Sequence, residues 1–419
     1  MFKKGKKLIV ALLVLVAALA FWPEETAPDL VTAADMHVFV EKLFKKKHVT
    51  GSVAIVQNGH VQVVNYGLAN AKQKVKNGAS QVVYPVASMQ KEVTGAMIMQ
   101  LMEEKKGSSS AFSQNTKISR WYPALRNAKK ISVGNLLSHT SGLQIPKVEA
   151  DRHINYSEDQ AVNWIVTRAN QLPQDKVGSY HYSDVNYVLL AGIIKKVSHK
   201  SYAWNFKKRV VQRLGLKSTY VSSQLPKNKM LAVSYAYKHG KNYQQAATLE
   251  KTRLSQLVGA GNMLTTASDY YLIQEALGTG QFLSPSAFHK LTHLKSKINQ
   301  YSGGVYLNKG EKVKLAYGAI GSTHYAAYFQ LTADNKNGII LLLNQREDKV
   351  KHNKRKLMKL KAIESVFSVL KYYGIENIFA RSVDGFQQIV EIIVLTHNIS
   401  YILQSCNISY ILQVLSSWR

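Results

Sequence analysis

The chain has 419 residues, 46% of them hydrophobic, enough to close a core in one large domain or two medium ones. Its one cysteine, Cys406, excludes a disulfide within the chain, a cysteine metal cluster and lipid attachment near the N-terminus. A net charge of +30 calls for a polyanionic partner. Residues 1–30 identify which one. Lys3, Lys4, Lys6 and Lys7 precede an apolar run from Leu8 to Trp22 and then Pro23-Glu24-Glu25, the layout of an export signal. Behind such a signal the polyanion is the cell envelope, as anionic lipid or teichoic acid, and not nucleic acid. Ala18-Leu19-Ala20 offers a cleavage site, whereas Phe21 and Trp22 suit an interfacial anchor. The expected location is therefore extracytoplasmic, either secreted or anchored to the membrane.

The folded domain is expected over residues 31–373. Ser52–Tyr66 holds two apolar runs joined by Asn58-Gly59, a strong hairpin signal. Helical spacing follows at Val93–Glu104, Asp159–Asn170, Tyr187–Val197, Ala267–Leu277 and Ser284–Leu294. A second hairpin is read at Ala327–Thr332 and Gly338–Asn344, then helical periodicity at Lys354–Tyr373. Strands at both ends with helices between them predict an α+β fold. One antiparallel sheet is formed by N- and C-terminal strands and flanked by helices, with a mainly helical subdomain inserted. The junction is the natural place for a cleft. Residues 374–419 repeat Asn398-Ile-Ser-Tyr-Ile-Leu-Gln404 as Asn407–Gln413. Two short copies cannot build a repeat architecture, so this stretch is read as an appendage outside the catalytic fold.

Ser88-Met89-Gln90-Lys91 sets a hydroxyl and an amine one helical turn apart. A desolvated lysine loses its proton more easily and can then take the proton of the serine, giving an acyl-enzyme without histidine. The same spacing recurs at Ser368–Lys371, inside a basic terminal helix. At Ser88 the context differs: Tyr84-Pro85-Val86-Ala87 reads as an extended segment ending in a turn, and an apolar helix follows Lys91. That puts Ser88 at a helix N-terminus with its own N–H free to face an oxyanion.

Four further blocks follow in order: Ile131–Leu143 with Ser138-His139-Thr140-Ser141-Gly142, Tyr182-Ser183-Asp184 running to Leu190, Gly259-Ala260-Gly261-Asn262 running to Asp269, and Tyr317-Gly318-Ala319-Ile320-Gly321-Ser322. Together, over Met36 to Asn344, the chain resembles the serine hydrolase superfamily of class C beta-lactamases, penicillin-binding proteins, D-alanyl-D-alanine carboxypeptidases and related esterases. The resemblance implies a beta-lactamase/transpeptidase-like fold. It makes Ser88 the acylated nucleophile, Lys91 the adjacent base and Tyr182 the residue that shuttles a proton to and from the leaving group. A tyrosine beside an ammonium is expected to have its phenolate favoured. Tyr306-Leu307-Asn308, a rival Tyr-x-Asn, is read as structural.

Two departures from the family pattern stand out. Asp184 replaces a frequent asparagine and is expected to hold Lys91 as a cation, which moves the role of base toward Tyr182. Ala319-Ile320-Gly321 stands where penicillin-recognising relatives have lysine or histidine, a small residue and glycine, so the carboxylate of the substrate loses its cation. Gly321 and the N–H of Ser322 are retained to bind substrate and to complete the oxyanion hole with Ser88. His324 is a possible substitute cation. His139 is read as part of a structural turn, and His289 with His293 as a surface pair and not a metal site. No cofactor fingerprint is present. The expected activity is that of an extracytoplasmic serine hydrolase, of esterase type on envelope substrates such as D-alanyl esters. A D,D-carboxypeptidase or beta-lactamase, and a non-catalytic penicillin- or wall-binding module, are the alternatives.

Overall fold

The computed structural model describes residues 33–145, 154–247, 249–308, 310–321 and 323–347. The export signal, Ser322, Ser368, Cys406, the terminal helical periodicity and the repeated tail lie outside the described residues.

The chain opens with helix α1 (Ala33–Lys47) and the hairpin β1 (Thr50–Gln57) and β2 (His60–Tyr66). Asn58 and Gly59 both take positive φ, 51° and 82°, as a two-residue hairpin turn demands. Late in the chain come β7 (Tyr301–Ser302), β8 (Val305–Asn308), β9 (Val313–Gly318), β10 (Ala326–Thr332) and β11 (Gly338–Glu347). They join the first hairpin in the order β7-β8-β9-β10-β11-β1-β2. β1 pairs antiparallel with β11, with Val53 opposite Leu341 and Ile55 opposite Ile339.

The two faces of this sheet are covered differently. Val53, Ile55, Leu341 and Leu343 meet Val40 and Phe44 of α1. Their alternating neighbours Ala54, Val56, Ile340 and Leu342 point into the main core with the helical part of the chain. The expected sheet of two termini is therefore present, with one addition. Residues from the inserted segment, β4 (Ser234–Lys238), pair parallel with the end of β11, and β5 (Lys241–Ala247) hangs on β4.

At the centre lies α2 (Gln90–Glu104), buried from Gln90 to Leu101. A helix buried this thoroughly is enclosed by other elements rather than lying on a surface. Around it the insert contributes α3 (Val133–Leu137), α4 (Glu158–Gln171), α5 (Asp184–Ser198) and α6 (Tyr202–Phe206). Ser132 with Asn135 and Ser157 with Gln160 close capping boxes on α3 and α4, satisfying end N–H groups that would otherwise be orphaned. Next come α7 (Lys251–Ser255), α8 (Ala267–Thr279) and α9 (Pro285–Thr292). The helix expected from Tyr187 begins three residues earlier, which sets Asp184 in its first turn, where the helix dipole favours a carboxylate.

Candidate active site

The short strand β3 (Val82–Pro85), paired antiparallel with β6 (Met263–Thr265), delivers the chain into a tight turn, Ala87–Met89, that runs straight into α2. Ala87 is held at φ 46°, a left-handed conformation that alanine adopts only under constraint from its surroundings. Ser88, the next residue, is partly exposed while its neighbours Ala87 and Met89 are buried.

Lys91 is fully buried one turn on. Its Nζ donates to Ser88 Oγ at 2.9 Å, to Asp184 Oδ1 at 2.7 Å and to the carbonyl of Ala260 at 2.9 Å. An ammonium has three protons, and all three have acceptors. Burial alone pulls the Lys91 pKa down, but the Asp184 carboxylate and Tyr182 pull it up, and the net direction is up. Lys91 therefore rests as a cation, and Ser88 accepts a hydrogen bond from it. The carbonyl of Ala260, in the Gly-Ala-Gly block, is a partner that the sequence did not single out.

Tyr182 lies beside both residues, with Lys91 Nζ 5.0 Å from its ring centroid. The expectation of a favoured phenolate is overturned. Burial raises the Tyr182 pKa more than Lys91 and Ser88 lower it, and Asp184 adds to the rise, so the resting group is a neutral phenol. Its ring rests on His139, with centroids 4.2 Å apart, and against the edge of Tyr301 at 5.7 Å. His139 Nδ1 faces two donors, the N–H of Ser183 and the Asn186 amide, which fixes the proton on Nε2. Burial, with Lys91 and His181 nearby, holds the His139 pKa well below the usual histidine range. It is a neutral ring under Tyr182.

Of the two glycines in the Tyr317–Ser322 block, Gly318 is the one packed against the nucleophile. A Cβ placed on Gly318 would lie 2.3 Å from the Val86 carbonyl and 3.0 Å from Ser88 N, whereas one on Gly321 would meet only Arg253 Nη2 at 3.6 Å. Only Gly318 lets the β9 backbone lie against the nucleophile. Ala316, two residues before that glycine, is buried and uncharged, and Tyr317 between them is 42% exposed. Neither Ala316 nor Ala319 carries a charge, and the N–H that follows the packed glycine belongs to Ala319. His324 is anchored by its own N–H to Ser234 Oγ at 2.7 Å. The His289 and His293 rings stack at 4.0 Å, and His293 Nε2 faces Glu311, so the pair is part of a surface ion cluster.

A central serine-bearing helix clasped between a two-ended sheet and a helical insert defines a serine hydrolase, and the chain belongs to the beta-lactamase family, whose sequence pattern matches residues 34–362. Among relatives, a teichoic acid D-alanine hydrolase of Staphylococcus aureus is 28% identical over 320 residues, 75% of each chain. The crystal structure of FmtA from Staphylococcus aureus superposes with a TM-score of 0.63 and 26% identity, covering 80% of this chain and 90% of that one. The D-amino acid amidase of Ochrobactrum anthropi, at 20% identity and TM-score 0.62 over 77% of this chain and 93% of its own, shares the fold.

Proposed function

We propose that this hydrolase is an extracytoplasmic esterase that removes D-alanyl groups from an anionic polymer of the cell envelope through an acyl-enzyme on Ser88. On this reading residues 31–373 form the catalytic domain, and residues 1–30 deliver or anchor it outside the cytoplasm. The observation that carries the proposal is the contact of Ser88 Oγ with a buried lysine 2.9 Å away, beside a stretch, Ala316 to Ala319, that holds no cation for a substrate carboxylate. The net charge of +30 suits a polyphosphate, and the Staphylococcus aureus relative is a teichoic acid D-alanine hydrolase.

The resting charges constrain the chemistry. A cationic Lys91 cannot accept the serine proton, so one of its protons must first leave for solvent, by way of Asp184, 2.7 Å away and partly exposed. The freed amine takes the Ser88 proton as Oγ attacks the ester carbonyl. Negative charge then builds on the carbonyl oxygen, facing the N–H groups of Ser88 and Ala319. Neutral Tyr182 is suited to the next step: it donates its proton to the departing alkoxide and is refilled from Lys91. Water reverses the sequence to release D-alanine.

A fluorophosphonate probe should label wild type and not Ser88→Ala. Unlabelled wild type should release D-alanine from D-alanylated teichoic acid faster than from D-Ala-D-Ala peptides. Faster peptide cleavage would replace this proposal with a second one, a D,D-carboxypeptidase. One observation favours that alternative: the Arg253 guanidinium at Gly321 is a cation in reach of the same loop.

A further inference from the structure

Tyr306 and Tyr317 have no part in the proton transfers above, yet their rings lie parallel, 5.7 Å apart and 6° from coplanar. They sit on adjacent strands, Tyr306 opposite Leu315 in the β8–β9 ladder. The stack continues inward, since Tyr306 meets the face of Tyr301 at 4.9 Å and Tyr301 meets Tyr182. A continuous wall of four rings thus runs from the proton-transfer residue to Tyr317. Tyr317 immediately precedes Gly318, the residue pressed against Ser88. It is the exposed end of the wall, and Tyr306 backs one side of it.

An aromatic ring fixed on a strand and backed by a second ring loses little freedom when a ligand covers it. Its face favours an apolar partner, and its rim here is polar: the hydroxyl of Tyr306 interacts with those of Tyr180 and Tyr317. A carboxylate finds no cation in this group of phenols, and a long acyl chain would bury their hydroxyls. A pyranose fits both demands, because its C–H face is apolar and its edge carries hydroxyls.

We propose that Tyr317, backed by Tyr306, is a stacking platform for a sugar ring in the alcohol portion of the substrate. This rests on the esterase reading, and the closing experiment separates the two. Two substrates carry the same D-alanyl group, one on a methyl N-acetylglucosaminide and one on glycerol. Wild type should show a KM about tenfold lower for the sugar ester, the effect of one good aromatic contact. Tyr317→Ala should abolish that preference, bringing the ratio of the two KM values to about one, and Tyr317→Trp should keep it. Equal turnover of the two esters by wild type, or equal loss on both in Tyr317→Ala, overturns the platform and leaves the esterase reading standing. If neither ester is cleaved, the esterase reading fails and saturation-transfer NMR decides the platform. Methyl N-acetylglucosaminide should then receive signal from wild type and not from Tyr317→Ala; no signal from wild type overturns the proposal.

Discussion

Glu92 and Lys314 face each other at 3.8 Å with both side chains buried, and neither Glu92 Oε1 nor Lys314 Nζ has a hydrogen-bond partner. The pair ties α2, one residue beyond Lys91, to β9, four residues before the glycine that touches Ser88. Burial raises the Glu92 pKa and lowers that of Lys314, each against the pull of the other. Gln274 donates to the second carboxylate oxygen of Glu92. Gly304 presses so close that a Cβ there would lie 2.2 Å from Glu92 N.

Two buried charges this loosely matched should show the asymmetry of such pairs. Removing one partner, in Glu92→Leu or Lys314→Met, should cost about 3–5 kcal/mol, because the other charge is left uncompensated. The double variant should recover most of that loss or exceed wild type by about 1–4 kcal/mol. Urea unfolding of the four proteins measures it, and additive losses would show that the two groups do not interact.

Asp184 sets the pH at which Lys91 can act. In wild type the carboxylate holds the lysine pKa above its ordinary value, against desolvation. Asp184→Asn removes the raising influence and leaves the lowering one, so Lys91 should lose its proton at lower pH. The acid limb of kcat/KM is therefore expected to move toward lower pH in the variant, even as maximal activity falls. A limb that stays in place would mean that Lys91 deprotonation does not control the reaction.

The two glycines near the nucleophile should behave in opposite ways. Gly318→Ala drives a methyl into the Val86 carbonyl and the Ser88 amide, and should lower kcat by about 100-fold or more, the scale of losing an oxyanion donor. Gly321→Ala meets only the end of a flexible arginine and should leave kcat within about threefold of wild type, as surface changes do. Equal damage from both would return the oxyanion element to Gly321 and Ser322.

Because neither Ala316 nor Ala319 carries a charge, benzylpenicillin lacks a fixed partner for its carboxylate on this strand. Its acylation of Ser88 should be slower than that of a neutral ester by at least about tenfold, the worth of one charge-assisted contact. Rapid penicillin acylation, followed by mass spectrometry of the adduct, would show that Arg253 or another cation supplies the clamp.

Local signals carried the legible part of this protein. Asn58-Gly59 declared its hairpin because few residues tolerate two positive φ values in succession. Ser88 and Lys91 were legible because helical spacing alone brings them together. Which glycine packs on the nucleophile was not, since Gly318 and Gly321 are equivalent in sequence and differ in what their backbones touch. The protonation of Tyr182 was hidden for a related reason: the neighbouring ammonium can be read from a motif, but the burial that outweighs it arises only on folding. Tyr306 and Tyr317 lie on different strands, and nothing local announces that their rings stack.

The pairing of β1 with β11 has a kinetic meaning. Thr50 hydrogen-bonds to Asn344 across 294 positions of chain, so the central strands meet only when almost the whole domain is available. Closing so long a loop is entropically expensive and slow, and a chain dominated by such contacts folds late rather than piecewise. A polypeptide passing through a pore end first would then stay threadable until its last strand arrived. The first strand synthesised must wait, unpaired on that side, for the last.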